Sequence, residues 1–438
     1  MDQTEALIIE TIDRHREEIL EFARDIYSHA ELGYKEFQTS EKFVKKMEQL
    51  GLRTEKGFAI TGVKSYLNED KKENASLALL GELDALRIPE HAFANPETNA
   101  AHCCGHHAQM AGVFGAALAL TVPEIAEKLD GQVVFFATPA EEYGEIEFKN
   151  QLREQGRIRY GGGKCELLRI GAFDDIDLCL THHIRPGNEI LVGSGTGNGF
   201  VSKVIRVLGK ASHAAGAPEK GVNALSAASL GLQALGLNRE TFRDEDCVRV
   251  HPIITKGGNL VNVIPDEVVV ETLVRGKTIE AFTDAAKKTD RSFKAGAVAM
   301  GAKVEISTLP GYLPTLAEEA LPELKHAAKI SASGIPVIEA SGHAGGSTDV
   351  GDVQHLMPVY TFNTGGVKGG LHQIDFEVTD EEEAYIVTAK MFALAAYGLL
   401  KEKAQRSREL VDQYEPVFKN SAEYVEFMEQ FDSKEIFE

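Results

Sequence analysis

The sequence predicts an α/β protein: a mostly parallel sheet with helices on both faces, plus a self-contained βαββαβ unit inserted into the same chain. Three observations carry that prediction. Short β-rich runs alternate with helical stretches between residues 76 and 181, the pattern of a parallel sheet covered on both faces. A glycine-rich break, GSGTGNG at 193–199, is followed by elements in a new order. The length of 438 residues suggests two or three domains with their own cores.

The elements follow in order. From Thr4, the apolar residues Ile8, Ile12, Ile19, Phe22, Ala23 and Ile26 recur at helical spacing, which predicts one long amphipathic helix that caps a sheet. Residues 76–80, 132–138 and 177–181 read as strands, and 110–120 as a helix between them. The 193–199 run reads as a hinge or domain exit, and Leu309-Pro310-Gly311 marks a second break. Between the breaks lie a strand at 202–208, a helix at 222–235, strands at 248–255 and 267–274, a helix at 279–300 and a strand at 303–307. This βαββαβ order, that of a ferredoxin-like unit, can fold alone. The predicted division is therefore a discontinuous domain of 1–195 and 310–438 around an inserted domain of 196–309. Residues 358–362 return as a strand of the first domain. Thr379 with Glu382 is a capping-box signature for a last helix running through Leu400, and the charged tail beyond Lys401 reads as helical.

Charge narrows the partners. With 46 Lys plus Arg against 67 Asp plus Glu, the net charge of −21 disfavours nucleic acid and anionic membrane surfaces and favours a small ligand or another protein. Apolar runs are interrupted before the ~18 residues of a membrane span. The acidic N-terminus lacks an apolar signal core, so a cytoplasmic, reducing location is expected, with the five cysteines as thiols or ligands.

Chemistry-bearing residues recur at predicted strand ends. His102-Cys103-Cys104-Gly105-His106-His107 gathers thiols and imidazoles, the donors that borderline-soft divalent ions prefer, and Gly105 lets Cys104 and His106 turn together. Thr138-Pro139-Ala140-Glu141-Glu142 places two acids where the 132–138 strand ends; neighbouring side chains diverge, so one can bind a metal while the other acts as general base. His182-His183, Glu82-Leu83-Asp84 and His372, after a glycine-rich run, belong to the same expected edge, where open α/β sheets build their sites. A nucleotide-binding reading of GSGTGNG fails because no Lys-Ser or Lys-Thr pair follows.

Taken together, GELDAL (81–86), HCCGH (102–106), PAEE (139–142), HHIRP (182–186), SHAAGAP (212–218), GGNLVNVIP (257–265) and LHQIDF (371–376), with HAELGYKEFQTS (29–40), resemble the metallopeptidase family M-twenty, amidohydrolase branch. Within it, GELDAL and GSTDVGDV (346–353) are most similar to the aminobenzoyl-glutamate hydrolase side. The resemblance implies two divalent metal ions, Mn2+ or Zn2+, held by Cys104, His106, Glu142, His183 and His372, with Glu141 as general base. It implies that Asp84 orients a metal ligand and that the inserted domain is a lid through which a homodimer forms. His213 matches a lid histidine that reaches the partner subunit's substrate, and Asn262 and Arg275 match lid residues that hold the substrate carboxylate and carbonyl. The implied activity is hydrolysis of an N-acyl, aminobenzoyl or aminoacyl amino acid or dipeptide. The alternative is a catalytically silent relative that binds a small ligand or serves as a partner subunit. The sequence departs from the family at His107 and Gln109, where an acid or amide and often a second histidine stand, at Glu82, a histidine in other branches, and in a longer charged insertion at 145–160.

Overall fold

The strand expected at 132–138 is observed as Gln132–Thr138, and around it the chain builds an eight-stranded sheet. The structure is a computed structural model that describes residues 1–438. Across the sheet run Arg53–Phe58, Gly62–Leu67, Gln132–Thr138, Ser76–Glu82, Leu178–Ile184, Val359–Thr364, Ile190–Val192 and Val337–Glu339. The four strands Gln132–Thr138, Ser76–Glu82, Leu178–Ile184 and Val359–Thr364 are mutually parallel, so their carboxyl ends share one edge. The first two strands form an antiparallel hairpin added outside Gln132–Thr138.

Successive strand residues point to opposite faces, and both faces are covered. Leu77, Leu79, Val133 and Phe135 join the buried core that also holds the His106–Leu120 helix. On the other face Phe136 meets Phe173, with ring centroids 5.1 Å apart. The His106–Leu120 helix is buried on every side, as its Ala, Gly, Leu and Val composition allows. The predicted single N-terminal helix is two, Gln3–Arg14 and Arg16–Ser28, separated at His15. Both pack on the His106–Leu120 helix, forming an outer layer instead of the predicted sheet cap.

The last long helix also differs from expectation. Its cap is Asp380, whose Oδ1 accepts the N–H groups of Glu382 and Glu383 at 3.0 and 3.2 Å, and its first turns, Glu382–Val387, are π-helical. Thr388–Gln413 continues it but breaks at Lys401, after which Glu402, Lys403 and Ala404 all take positive φ. By length and composition Glu382–Gln413 would pass for a membrane span; its apolar window is 89% buried, which is the burial of a core helix.

This sheet and its helices make one compact unit, Met1–Gly195, Leu316–Gly342 and Asp352–Ser421; the second comprises Thr196–Thr315, His343–Gly351 and Ala422–Glu438. In the second, Gly199–Leu208 lies between Glu267–Gly276 and Lys303–Tyr312, all antiparallel, and the Ala224–Asn238 and Ile279–Met300 helices pack together on this sheet. The single strand expected at 248–255 is two short ones, Arg249–Val250 and Ile253–Lys256. The tail, expected to be helical, contains the Ser421–Glu429 helix and then a strand, Ser433–Phe437, that pairs with Lys303–Tyr312. Phe437 packs into the hydrophobic core there, and Phe431 meets Phe282 at 5.5 Å.

Candidate metal centre

Four separate segments converge at the carboxyl edge of the parallel strands. Cys104 and His106 flank Gly105, which has φ +85° and whose missing side chain leaves room for Ile184; a Cβ there would lie 2.0 Å from Ile184 Cγ2. His106 opens its helix, and its Nδ1 lies 2.8 Å from the Asp84 carbonyl oxygen. A carbonyl only accepts, so Nδ1 carries the proton and Nε2 is the open nitrogen. His183 and His182 point to opposite faces of one strand. His182 turns into the core, bonded to Thr364 Oγ1 at 2.8 Å, while His183 Nε2 lies 3.3 Å from Cys104 Sγ. His372, at φ +62°, places its Nε2 3.3 Å from the same sulfur and 3.1 Å from Glu142 Oε1.

The paired glutamates are aimed by a constrained turn. Ala140 sits at φ +49°, a costly conformation for a residue with a Cβ. Buried Glu36 holds it, one oxygen accepting the Ala140 N–H at 2.8 Å and the other the Thr61 hydroxyl at 2.7 Å. Burial, then the neighbouring Asp84, raises the Glu36 carboxyl to about 7. From this turn the Glu142 N–H donates to Asp84 Oδ2 at 2.9 Å, and Glu141 Oε2 lies 4.0 Å from His106 Nε2. Asp84 thus touches both His106 and the Glu142 backbone.

Within the sheet unit three groups have their donor atoms within 4.8 Å of one another: Cys104, His106 and His183; Cys104, Glu142 and His372; and His106, Glu141 and Glu142. Cys104 is common to the first two, so thiol, imidazole and carboxylate are gathered as two adjoining sets. The His106 Nε2 and Glu142 Oε1 atoms are buried without a well-formed hydrogen bond and lie against other ionisable side chains, Glu82 at 3.2 Å and His372 at 3.1 Å. Burial, with the Glu142 charge next, pushes the Cys104 thiol well up, so a cation is needed to hold it as thiolate. Burial would raise Glu142 too, but His372 outweighs it and holds the carboxyl at about 2.

The departures have partners of their own. His107 Nε2 meets Tyr385 OH at 3.1 Å, and burial lowers the ring to about 3. Gln109 bonds Glu82 twice, to its backbone N–H and to its carboxylate, each at 2.8 Å. Lys164 of the GGGK run, fully buried, pairs with the same carboxylate. In the 145–160 insertion, Ile146–Glu154 is helical and Lys149 donates to the Glu142 carbonyl at 2.6 Å. Sequence reasoning did not single out Glu36 or Lys164; the signals were a glutamate inside the 29–40 motif and a lysine directly after three glycines.

His213, Asn262 and Arg275 belong to the second unit. There His213 and Val263 form a β-bridge and the Ala214 N–H bonds the Asn262 carbonyl at 3.0 Å, which sets His213 and Asn262 side by side. His213 Nδ1 accepts the N–H groups of Ala215 and Gly216 at 3.2 and 3.0 Å, leaving Nε2 as the donor nitrogen. The Arg275 guanidinium lies over the Phe200 ring, 5.7 Å from its centroid.

Comparison with known proteins matches residues 78–397 to the model of Peptidase family M20/M25/M40. The Xaa-Arg dipeptidase of Mus musculus is 29% identical over 311 residues, 69% of this chain and 64% of that protein. The IAA-amino acid hydrolase ILR1-like 2 of Arabidopsis thaliana is 30% identical over 272 residues, 60% of this chain and 56% of that protein. The matches thus span less than two thirds of these relatives. Among solved structures, a Bacillus subtilis protein described as a dinuclear metal binding peptidase aligns over 89% of this chain and 99% of its own, with 23% identity and a TM-score of 0.61; this likeness is one of fold.

Proposed function

The chain belongs to Peptidase family M20/M25/M40, and from that footing we propose that it is a metal-dependent amidohydrolase cleaving the amide bond of a small N-acyl, aminobenzoyl or aminoacyl amino acid. The observation that carries the reading is the convergence of Cys104, His106, Glu142, His183 and His372, with donor pairs 3.1 to 3.3 Å apart and Glu141 beside them. Ligand bonds of about 2.0–2.3 Å set neighbouring donors roughly 2.8–3.8 Å apart in octahedral or tetrahedral geometry. These residues therefore fit two divalent ions, manganese or zinc, sharing the Cys104 region. When bound, such ions acidify a water and polarise the scissile carbonyl.

The protein's own residues do the rest. Glu141 takes the proton of the attacking water and returns it to the leaving nitrogen. Asp84 holds His106 in the tautomer that turns Nε2 to the site and steadies the Glu142 backbone. His213, with Nε2–H free to donate, stabilises the developing oxyanion from the lid of a partner subunit. Asn262 and Arg275 hold the substrate carbonyl and carboxylate, the planar guanidinium suiting a carboxylate. A cytoplasmic location goes with this reading, since a thiol ligand needs reducing surroundings.

The test is a panel of aminobenzoyl-glutamate, indole-acetyl amino acids, hippurate and dipeptides, assayed for released amino acid with added Mn2+. Release from at least one class, abolished in Glu141→Gln, is expected. No release from any member by a metal-loaded chain would favour a silent, ligand-binding relative.

A further inference from the structure

We infer that Lys149, carried on the Ile146–Glu154 helix of the charged insertion, is a positioning residue whose amine fixes the peptide from which Glu142 is aimed; this rests on the metal-dependent reading above. Lys149 is 3% exposed, and a lysine is almost never so buried unless other groups hold its amine. Its Nζ donates to the Glu142 carbonyl oxygen at 2.6 Å. Two rings face the same nitrogen, Tyr143 with its centroid at 5.1 Å and Tyr34 at 5.7 Å, both within reach of a cation–π contact. Burying this side chain costs rotamer entropy, and Lys149 lies in the N-terminal half of its helix, toward the end where the macrodipole disfavours a cation. A methionine would fill the same space without either penalty, so what the amine adds is its hold on this peptide.

The surroundings of the amine are fixed by the end of the same insertion. The Tyr34 hydroxyl donates to the Tyr160 carbonyl at 3.0 Å. Tyr34 itself sits at φ +60°, a conformation that a bulky residue keeps only where its surroundings over-determine it. Tyr143 lies so close to Gly161 that a Cβ there would come 2.7 Å from the ring. The turn that carries the two glutamates is likewise pinned from distant parts of the chain. Glu36 accepts the Ala140 N–H, the Gly163 N–H donates to the Ala140 carbonyl at 3.0 Å, and Asp84 accepts the Glu142 N–H. The Glu142 carbonyl also accepts the Gly144 N–H at 2.8 Å, a contact that closes the turn on itself. Lys149 ties that carbonyl to a helix, and so completes the support of a carboxylate that has to meet an ion in one direction.

The experiment titrates the chelated full chain with Mn2+ by calorimetry, records the visible absorption of the Co2+-loaded form, and measures kcat and KM on an amide that the wild type cleaves. Lys149→Met removes the donor at similar volume, and Lys149→Arg keeps a cationic donor. Leu152→Ala, at a buried position of the same helix, loosens the helix and leaves the amine. Lys149→Met should change the Co2+ spectrum, weaken Mn2+ binding about tenfold or more and lower kcat by a similar factor at nearly constant KM. Lys149→Arg should restore most of each, whereas Leu152→Ala should lower Tm and keep the wild-type spectrum and affinity. If the methionine chain does not fold, Lys149→Gln, whose shorter side chain falls short of the carbonyl, replaces it with the same expected losses. Wild-type spectrum, affinity and kcat in the folded variant, or equal losses in Leu152→Ala, would overturn the Lys149 assignment alone. A wild-type chain that takes up no ion would overturn the metal-dependent reading and this inference with it.

Discussion

Glu141 and Glu142 are consecutive, yet they keep different company. Glu142 lies against His372, Glu141 nearer His106, because the Ala140 turn sends adjacent side chains apart. That split supports one ligand and one base. Glu141→Gln should therefore retain metal, measured by elemental analysis, while kcat falls about 10²- to 10⁴-fold; wild-type turnover would remove the base assignment. The turn itself is testable at Gly163, where a Cβ would lie 1.6 Å from the Pro139 carbonyl oxygen. Gly163→Ala should cost about 1–3 kcal/mol in denaturant unfolding and weaken metal binding with it. At this scale the motifs were legible because ligand chemistry is a matter of residue type and spacing. The choice of His183 over His182 follows from strand alternation. Glu36 and Lys164 were not legible, because they meet Ala140 and Glu82 across separations of 104 and 82 residues, and local periodicity carries no information about such pairings.

Among the elements, strain and buried charge give two further predictions. Glu402, Lys403 and Ala404 all adopt positive φ, a conformation that costs L-residues roughly 1–2 kcal/mol each. Glu402→Gly should raise stability by about 1 kcal/mol, read from thermal unfolding. Glu318, from the segment that follows the second unit, bonds the Thr361 N–H of a sheet strand, and burial raises its carboxyl to about 8. The folded state thus holds this proton more tightly than the unfolded chain does. Its contribution is present in full below the unfolded carboxyl pKa and is lost as pH rises through about 8, at up to about 1.4 kcal/mol per pH unit. Glu318→Gln should flatten the fall in Tm between pH 5 and 8; an unchanged profile would show that another group governs it. Strands and helices inside the sheet unit were legible within a few residues because burial imposes simple periods. The split of the N-terminal helix at His15 and the terminal strand Ser433–Phe437 were not. The first is a one-residue kink that leaves helical periodicity almost intact, and the second is a charged edge strand stabilised by pairing with Lys303–Tyr312.

For the whole molecule, the net charge of −21 opposes the approach of any anion, so a carboxylate-bearing substrate of the kind proposed above would have to be captured locally. The division into two compact units begins at Gly195/Thr196, inside the glycine run that the sequence marked as an exit. It differs from the predicted boundaries by adding residues 310–315, 343–351 and 422–438 to the second unit. Those additions are short returns of the chain that no composition change announces. If the sheet unit holds ions, chelation should lower Tm and Mn2+ should restore it, since a ligand at 100 times its Kd adds about 2.7 kcal/mol. The most direct test of the central claim is amide hydrolysis by the chelated chain, followed as Mn2+ is added in known equivalents. Two ions per chain predict activity that rises to a plateau at two equivalents. Full activity before any metal is added, or a plateau at one equivalent, would contradict it.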